Sequence, residues 1–366
     1  MISPIQRFYE AIKSEQTKKT YKHYLNQFFK HAETNAESFV KMDKKKIDDL
    51  VFQYLVSLKM LAEKDRLNPN SINVMFSPIQ LFLEQNDIIL NWKKIKRLFP
   101  RRKAPANQAP YQQGEIVKIL NATTSLRNKA FIHFLSSTGC RVGAIPDLNV
   151  SDIHPVEDGA VVIIYSEDIE EYRTCLTPEA YSALLAYFEF RTLRGYPVTQ
   201  DSPLFTDKSN HQRISHINSK DLMRIILDSA GLRTKRNLRK SRTGKSANHA
   251  FRKRFETVLV NAGIHSKYVD YMMGHKVGQI RSYFKPTDEE LWHEFKKALS
   301  ILTIDKSEQL KIKNQRQEEE LMRYDVEAKG EIESLKKQMS DQKRDTLKLI
   351  GEALRNPEKF KKISKE

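Results

Sequence analysis

Apolar positions in the first third of the chain recur at helical spacing. Tyr21, Tyr24, Leu25, Phe28 and Phe29 fall at i, i+3, i+4, i+7 and i+8, which is one face of a helix. Ile47, Leu50, Val51, Tyr54, Leu55 and Leu58 repeat the pattern, and Ile72, Met75, Ile79, Phe82 and Leu83 form a third face behind Asn70, a residue suited to cap a helix. No strand-like alternation interrupts these faces, so residues 1–92 are expected to be a small helical bundle. Helical periodicity resumes over residues 111–300. Its one clear β signal is the apolar run Ala160–Tyr165, followed by acidic turn residues and then Tyr172–Leu176, the spacing of a hairpin. Pro178 is placed to open the next helix.

The last segment changes character. From Thr287 to Asn356 there is no proline, the only glycines are Gly330 and Gly351, and Glu, Lys, Gln and Arg dominate, a composition that favours long helices. Leu321, Ala328, Ile332, Leu335 and Met339 fit heptads, whereas Asp325 and Gln342 interrupt the register. Residues 301–366 therefore read equally as a coiled coil or as a solvated single helix. Just upstream, Leu291, Phe295 and Leu299 form an apolar stripe at spacing four with Trp292 beside it, and such a stripe needs a groove to fill. The expectation is that it docks on a neighbouring protomer; the plainer alternative is burial in its own domain. The fold class is mainly α, with one small β-hairpin or sheet and a long helical C-terminal tail.

Composition narrows the partners. The chain has 366 residues and a formal net charge of +17, with 39% hydrophobic and 30% charged residues. That length accommodates two domains and an extra segment. The positive balance calls for a polyanion, either nucleic acid or an anionic membrane surface. The longest apolar run, about Ala160–Tyr165, is far below the roughly 20 residues of a spanning helix, so no membrane partner is expected. Met1–Lys13 has no secretory pattern, and Cys140 and Cys175 make no disulfide framework or zinc-ligand cluster. Both are expected to be thiols in a cytoplasmic, nucleic-acid-associated protein.

The charge is concentrated in two stretches. Lys93, Lys94, Lys96, Arg97, Arg101, Arg102 and Lys103 stand without an acidic neighbour before Pro105 and Pro110, and residues 93–110 read as a basic linker that can lie along phosphates. From Gly231 through Arg254 there are ten Lys or Arg and no Asp or Glu; Arg233, Lys235, Arg236, Arg239, Lys240, Arg242 and Lys245 are candidate DNA contacts. Gly244-Lys245-Ser246 has the ending of a phosphate loop, but the position five residues before Gly244 is Arg239 rather than glycine, which removes nucleotide binding from consideration.

The second stretch leads into His249-Ala250-Phe251-Arg252, whose His and Arg stand three apart and share a helical face. Such a pair can grip one phosphate, the guanidinium forking onto two oxygens and the imidazole adding another donor. Upstream, an apolar helix stops at Thr138-Gly139-Cys140-Arg141. Downstream come Gly274-His275 and, eight residues later, Tyr283. Each element alone is commonplace; the order Arg, His-x-x-Arg, Gly-His, Tyr is far more specific.

This order resembles the tyrosine recombinase family, which includes phage and archaeal integrases. Thr138–Arg141 resembles its first arginine box, His249–Arg252 its His-x-x-Arg box, and Gly274-His275 with Tyr283 its closing histidine and nucleophile. Thr17–Phe29 and Asn70–Phe82 resemble the family's DNA-gripping core-binding domain. The resemblance implies a core-binding bundle at 1–92, a catalytic domain at 111–300 and a site-specific recombinase that cleaves and rejoins double-stranded DNA at an attachment or recombination site. Arg141 and Arg252 would neutralise the phosphate, Tyr283 would form a 3′-phosphotyrosyl bond, and His249 and His275 would orient the phosphate and move protons. No metal, cofactor or ATP is expected, and four copies would act on synapsed DNA.

Two positions depart from the family pattern. An acidic residue commonly follows the first arginine by three; here that position is Ala144, and Asp147 is a candidate substitute. The family also places a lysine in the hairpin, whereas Arg173 is the only cation between Glu157 and Thr177. Arg173, or a lysine such as Lys208 or Lys245 from elsewhere, is the candidate to assist the leaving oxygen. Two other readings fit the sequence: a type IB topoisomerase-like nicking and resealing enzyme, and a catalytically inactive DNA-binding protein of the same fold. A coiled-coil chromosome-organising protein would make the motif order accidental.

Overall fold

The computed structural model describes residues 2–103, 109–207, 212–232, 245–275 and 284–355. Arg233, Lys235, Arg236, Arg239, Lys240, Arg242, Lys208 and Tyr283 lie outside them. The chain divides into two compact units, Met1–Ala109 with Leu232–Ser246, and Pro110–Gly231 with Ala247–Glu366.

The first unit is helical: α1 (Pro4–Glu10), α2 (Glu15–His31), α3 (Ala36–Phe39), α4 (Lys44–Glu63), α5 (Pro69–Gln85) and α6 (Trp92–Arg97). Side-chain caps start these helices, because the first turn of a helix leaves backbone N–H groups without partners. Asp43 accepts from Lys46 N at 3.0 Å to open α4. The cap of α5 is Asn68, which accepts from Asn70 N at 2.9 Å; Asn70 is already inside the helix, since Pro69 supplies the fixed φ of a first-turn residue. The expected apolar faces meet in one aromatic-rich core, where Phe28 packs on Phe39 and Tyr54 with ring centroids 5.3 and 5.4 Å apart. The basic stretch from Lys93 opens as a helix rather than as extended chain. Leu90 and Ile95 are buried in this core and Trp92 and Phe99 pack against it, which leaves Lys93, Lys94, Lys96 and Arg97 exposed on α6 and Arg101, Arg102 and Lys103 exposed after it.

The second unit contains α7 (Gln113–Asn121), α8 (Leu126–Thr138), a sheet of β1 (Ile153–Val156), β2 (Gly159–Ile164) and β3 (Tyr172–Leu176), then α9 (Pro178–Leu193), α10 (His216–Ser229), α11 (His249–Asn261), α12 (Ser266–Met273), α13 (Asp288–Lys296), α14 (Leu299–Leu302) and α15 (Lys306–Arg355). The sheet is antiparallel in the order β1-β2-β3, with Val161 opposite both His154 and Cys175. The hairpin expected from the sequence thus gains a third strand. β1 is four residues long and carries Pro155, which a strand tolerates at an edge, so it has no apolar alternation to betray it.

The apolar stripe on α13 packs at home. Leu291, Trp292, Phe295 and Leu299 are buried in one core with Phe255, Leu259, Val269, Met272 and the strand residues Val161 and Cys175. A Cβ on Gly159 would overlap the Trp292 ring, so β2 is built to receive that ring. This overturns the expectation that the stripe docks on a neighbouring protomer: the groove it needs is supplied by α11, α12 and the sheet of the same chain. Further along, Ile312 still touches this core, but nearly every described residue of α15 beyond it is exposed.

Candidate active site

Three helix ends and one strand build the site. α8 stops at Gly139, whose φ of 57° is left-handed, and α12 stops at Gly274 with φ 60°. Glycine is the usual residue at such ends because it has no Cβ to clash in that conformation. Here the space is also taken. A Cβ on Gly139 would lie 2.5 Å from the Phe255 ring, and one on Gly274 would lie 2.5 Å from the Tyr172 ring. Arg141 follows the first turn and His275 the second.

Arg252, on the first turn of α11, ties the two ends together. It is 5% exposed. Its Nη1 donates to Gly139 O at 2.9 Å and its Nη2 donates to Met273 O. Both acceptors are carbonyls at helix C-termini, where unpaired C=O groups and the helix dipole favour a cation. A guanidinium has five N–H donors, so three remain beyond these two bonds. Arg252 is therefore both the keystone of the two turns and a source of donors beside them.

The other charged groups of the motif cluster around it. Arg141 is exposed, its guanidinium has no hydrogen-bond or ion-pair partner among the described residues, and it lies within electrostatic range of Cys140, Tyr165, Tyr172 and His249. Partial burial, then the cations Lys253, Arg252 and Arg141, push the His249 imidazole below its ordinary value and favour its neutral form. His275 Nδ1 lies 3.2 Å from Asp270 Oδ1. A carboxylate accepts, so Nδ1 is the donor of this contact and the ring is oriented by it. Asp147 does not support Arg141: its carboxylate pairs with His216 at 3.7 Å. The structure thus brings Arg141, His249 and Arg252 into one neighbourhood, and seats His275 at the α12 turn that Arg252 holds.

Arg173 is placed differently. Successive strand residues face opposite sides of a sheet. Tyr172 packs on Gly274, while Arg173 turns to the other side, where its Nη1 donates to Asp288 Oδ1 at 2.7 Å. His154 Nδ1 meets the other oxygen of Asp288 at 3.2 Å. Asp288 is the first residue of α13, so strands β1 and β3 together hold that helix by its N-terminus. Arg254 has a supporting task too: it is buried, donates to Ile301 O at 2.8 Å and to Gln113 Oε1, and burial pulls its guanidinium down to about 10.

Several participants were missed from the sequence. Asp270, Asp288 and His154 are ordinary polar residues until the fold delivers them to His275 and Arg173. Tyr172 is buried with its hydroxyl unpartnered among the described residues, and burial, ahead of its charged neighbours, raises its pKa well above the usual phenol value. Tyr165, whose ring lies tilted to that of Tyr172 with centroids 6.3 Å apart, holds a left-handed φ of 57°, uncommon for a bulky residue. Of the basic residues expected to touch DNA, Lys103 is engaged within its own unit. Its Nζ lies 2.8 Å from Asp65 Oδ1, and its backbone exchanges two hydrogen bonds with Asn70. Lys245 is partly buried.

Comparison with known proteins places these observations. Residues 110–290 match the model of the phage integrase family. The tyrosine recombinase XerC of Leptospira interrogans is 23% identical over 251 residues, covering 65% of this chain and 75% of that protein. Among solved structures, the XerH site-specific recombinase bound to difH substrate in a pre-cleavage complex superposes with a TM-score of 0.50 at 17% identity, over 78% of this chain and 79% of that one. A lambda integrase dimer bound to a COC′ core site gives 0.50 at 14% identity, over 76% and 75%. At these identities the two structures establish the shared fold. Among the described residues no helix is long and apolar enough to cross a membrane.

Proposed function

We propose that this chain, which belongs to the phage integrase family of tyrosine recombinases through residues 110–290, performs site-specific recombination with Arg141, His249, Arg252, His275 and Tyr283 as its reacting set. The observation that carries the reading is the clamp made by Arg252, which gathers the turn before Arg141 and the turn before His275 around one buried guanidinium.

The chemistry follows from charge. A phosphodiester repels nucleophiles, and the pentacoordinate transition state places extra negative charge on its non-bridging oxygens. Arg141, without a competing ion pair among the described residues, and the spare donors of Arg252 are suited to those oxygens. Tyr283 attacks phosphorus, the bond to the 5′-oxygen breaks, and a 3′-phosphotyrosyl bond forms; the free 5′-hydroxyl of another strand reverses the exchange. The phenol must lose a proton as it attacks. His249, held neutral by burial and by its cationic neighbours, is able to take that proton or to donate its own N–H to the phosphate. His275, oriented by Asp270, serves the same phosphate. Phe284, the residue that follows Tyr283 in the chain, packs edge-on against Tyr268 and Tyr271 of α12, at 4.9 and 5.9 Å.

The leaving 5′-oxygen has no lysine from the hairpin, and Arg173 is committed to Asp288, so the proton that turns this oxygen into a hydroxyl comes from His275 or a water. Arg173 is a positioning residue that holds α13 and, through it, the segment from Phe284 to Thr287. Double-stranded DNA is the partner. Exchanging two duplexes requires four strand cleavages with one tyrosine each, so four copies are proposed to act on a synapsed pair of sites. The test is incubation with a supercoiled plasmid carrying two copies of the chain's own attachment site. Recombined circles are expected; relaxed topoisomers without exchange would replace this reading with that of a nicking and resealing enzyme.

A further inference from the structure

α15 runs for 50 residues from Lys306 to Arg355, roughly 75 Å at 1.5 Å per residue. Among the described residues only its start is anchored, where Ile312 packs against the core of the second unit. Beyond it the helix carries apolar side chains in water: Leu321 is 66% exposed, Ile332 50%, Leu335 57%, Met339 70% and Leu349 56%. A helix with exposed apolar side chains along one seam is short of a partner.

The seam keeps heptad spacing through its polar interruptions. Leu321, Asp325, Ala328, Ile332, Leu335, Met339, Gln342, Thr346 and Leu349 alternate at spacings of four and three, the d and a positions of a heptad. Asp325, Gln342 and Thr346 are polar members of the seam; polar residues there cost affinity and fix alignment. Gly330 and Gly351, three heptads apart, both fall at the f position, farthest from the seam, where a small residue does not weaken packing. The flanking positions are sorted by charge. The e positions include Lys329, Lys336 and Lys343, and the g positions include Glu331 and Asp345. In an antiparallel pair e faces e and g faces g, so lysines would meet lysines. In a parallel pair g faces the e position five residues later in the other helix, and Glu331 meets Lys336.

We propose that α15 is a dimerisation element that pairs in parallel and in register with α15 of a second copy of this chain, through the seam from Leu321 to Leu349. The pairing is independent of DNA and of the catalytic residues. It joins protomers two by two before any site is bound.

The test uses the full chain without DNA, in sedimentation equilibrium and in cysteine cross-linking. Wild type is expected to sediment as a dimer at tens of micromolar. Leu335→Glu, an exposed position whose change leaves the folded body intact, is expected to give monomer. Glu331→Lys is expected to weaken self-association about tenfold by setting lysine against Lys336, and adding Lys336→Glu is expected to restore it. Leu321→Cys and Leu349→Cys should each cross-link to themselves under oxidation, because a parallel, in-register pair puts identical positions side by side; the natural Cys140 and Cys175 are buried. A monomeric wild type, cross-linking only between the Leu321→Cys and Leu349→Cys proteins when mixed, or a charge swap that fails to restore association would overturn the proposal.

Discussion

Replacing Arg252 with lysine separates its clamp from its charge. The ammonium keeps the positive charge but is a single point, and it cannot reach two carbonyls that belong to different helix ends. One of the two bonds, to Gly139 O at 2.9 Å or to Met273 O, is lost, and its acceptor stays buried. A hydrogen bond to a charged group contributes about 1.5–3 kcal/mol, so Arg252→Lys should destabilise the second unit by about 2 kcal/mol. Arg252→Met loses both bonds and should cost about 3–5 kcal/mol. For a unit of this size each kcal/mol lowers the melting temperature by about 2–4 °C, so the lysine variant should melt roughly 4–8 °C lower. The two tryptophans make the assay selective, since Trp92 lies in the first unit and Trp292 in the core of the second. In a Trp92→Phe background, thermal unfolding followed by tryptophan fluorescence reports the second unit alone. Strand cleavage should fall in both variants. A lysine variant that melts within about 1 °C of its parent would show that the guanidinium does not hold the two turns, and the site would lose its keystone.

Other perturbations read other parts of the account. Gly274→Ala puts a Cβ 2.5 Å from the Tyr172 ring at a φ of 60°, and should lower stability by roughly 2–4 kcal/mol in urea unfolding; a neutral result would contradict the packing of that turn. Burial, then Lys129, pushes His133 to about 4. The unfolded state therefore binds the proton first as pH falls, and stability should drop between about pH 6.5 and 4, by up to ~3 kcal/mol. Glu179, 3.9 Å away and raised by burial, contributes the opposite slope, so His133→Leu should flatten or invert the pH profile; an unchanged profile would remove His133 as its source. Arg173→Ala should slow cleavage by loosening α13, and a substrate whose bridging 5′-oxygen is sulfur, a leaving group that needs no proton, should not rescue it. Full rescue would make Arg173 the general acid, whereas rescue of a Lys245→Ala or Lys208→Ala variant would assign that role to the lysine.

What the sequence could reveal was set by the range of the interactions involved. Arg141, His249, Arg252 and His275 could be singled out as candidates because local rules mark them: a glycine ending an apolar helix, two side chains three apart on one face, a second glycine before a histidine. The helices were legible for the same reason. The partners of these residues were not. Asp288 reaches Arg173 across 115 residues and His154 across 134, and no local pattern encodes such a meeting. Arg252 could be read as a phosphate ligand, but its two carbonyl acceptors belong to helix ends far away in the chain. β1 was hidden by its length and by Pro155, and the stripe on α13 looked unpartnered because the groove that receives it is assembled from α11, α12 and the sheet. Asp270, five residues before His275, was within local reach, yet a lone acid before a Gly-His pair carries no signal until the turn folds back.

The central claim is that a covalent bond forms between DNA and Tyr283, and one measurement addresses it directly. A duplex bearing the chain's attachment site, nicked beside the cleavage position so that the short 5′-hydroxyl fragment diffuses away and religation fails, traps any phosphotyrosyl intermediate. After digestion, peptide mass spectrometry should find the nucleotide adduct on the peptide containing Tyr283, and Tyr283→Phe should abolish the adduct while DNA binding is retained. An adduct that survives that substitution, or that maps to Tyr268 or Tyr271, would contradict the account.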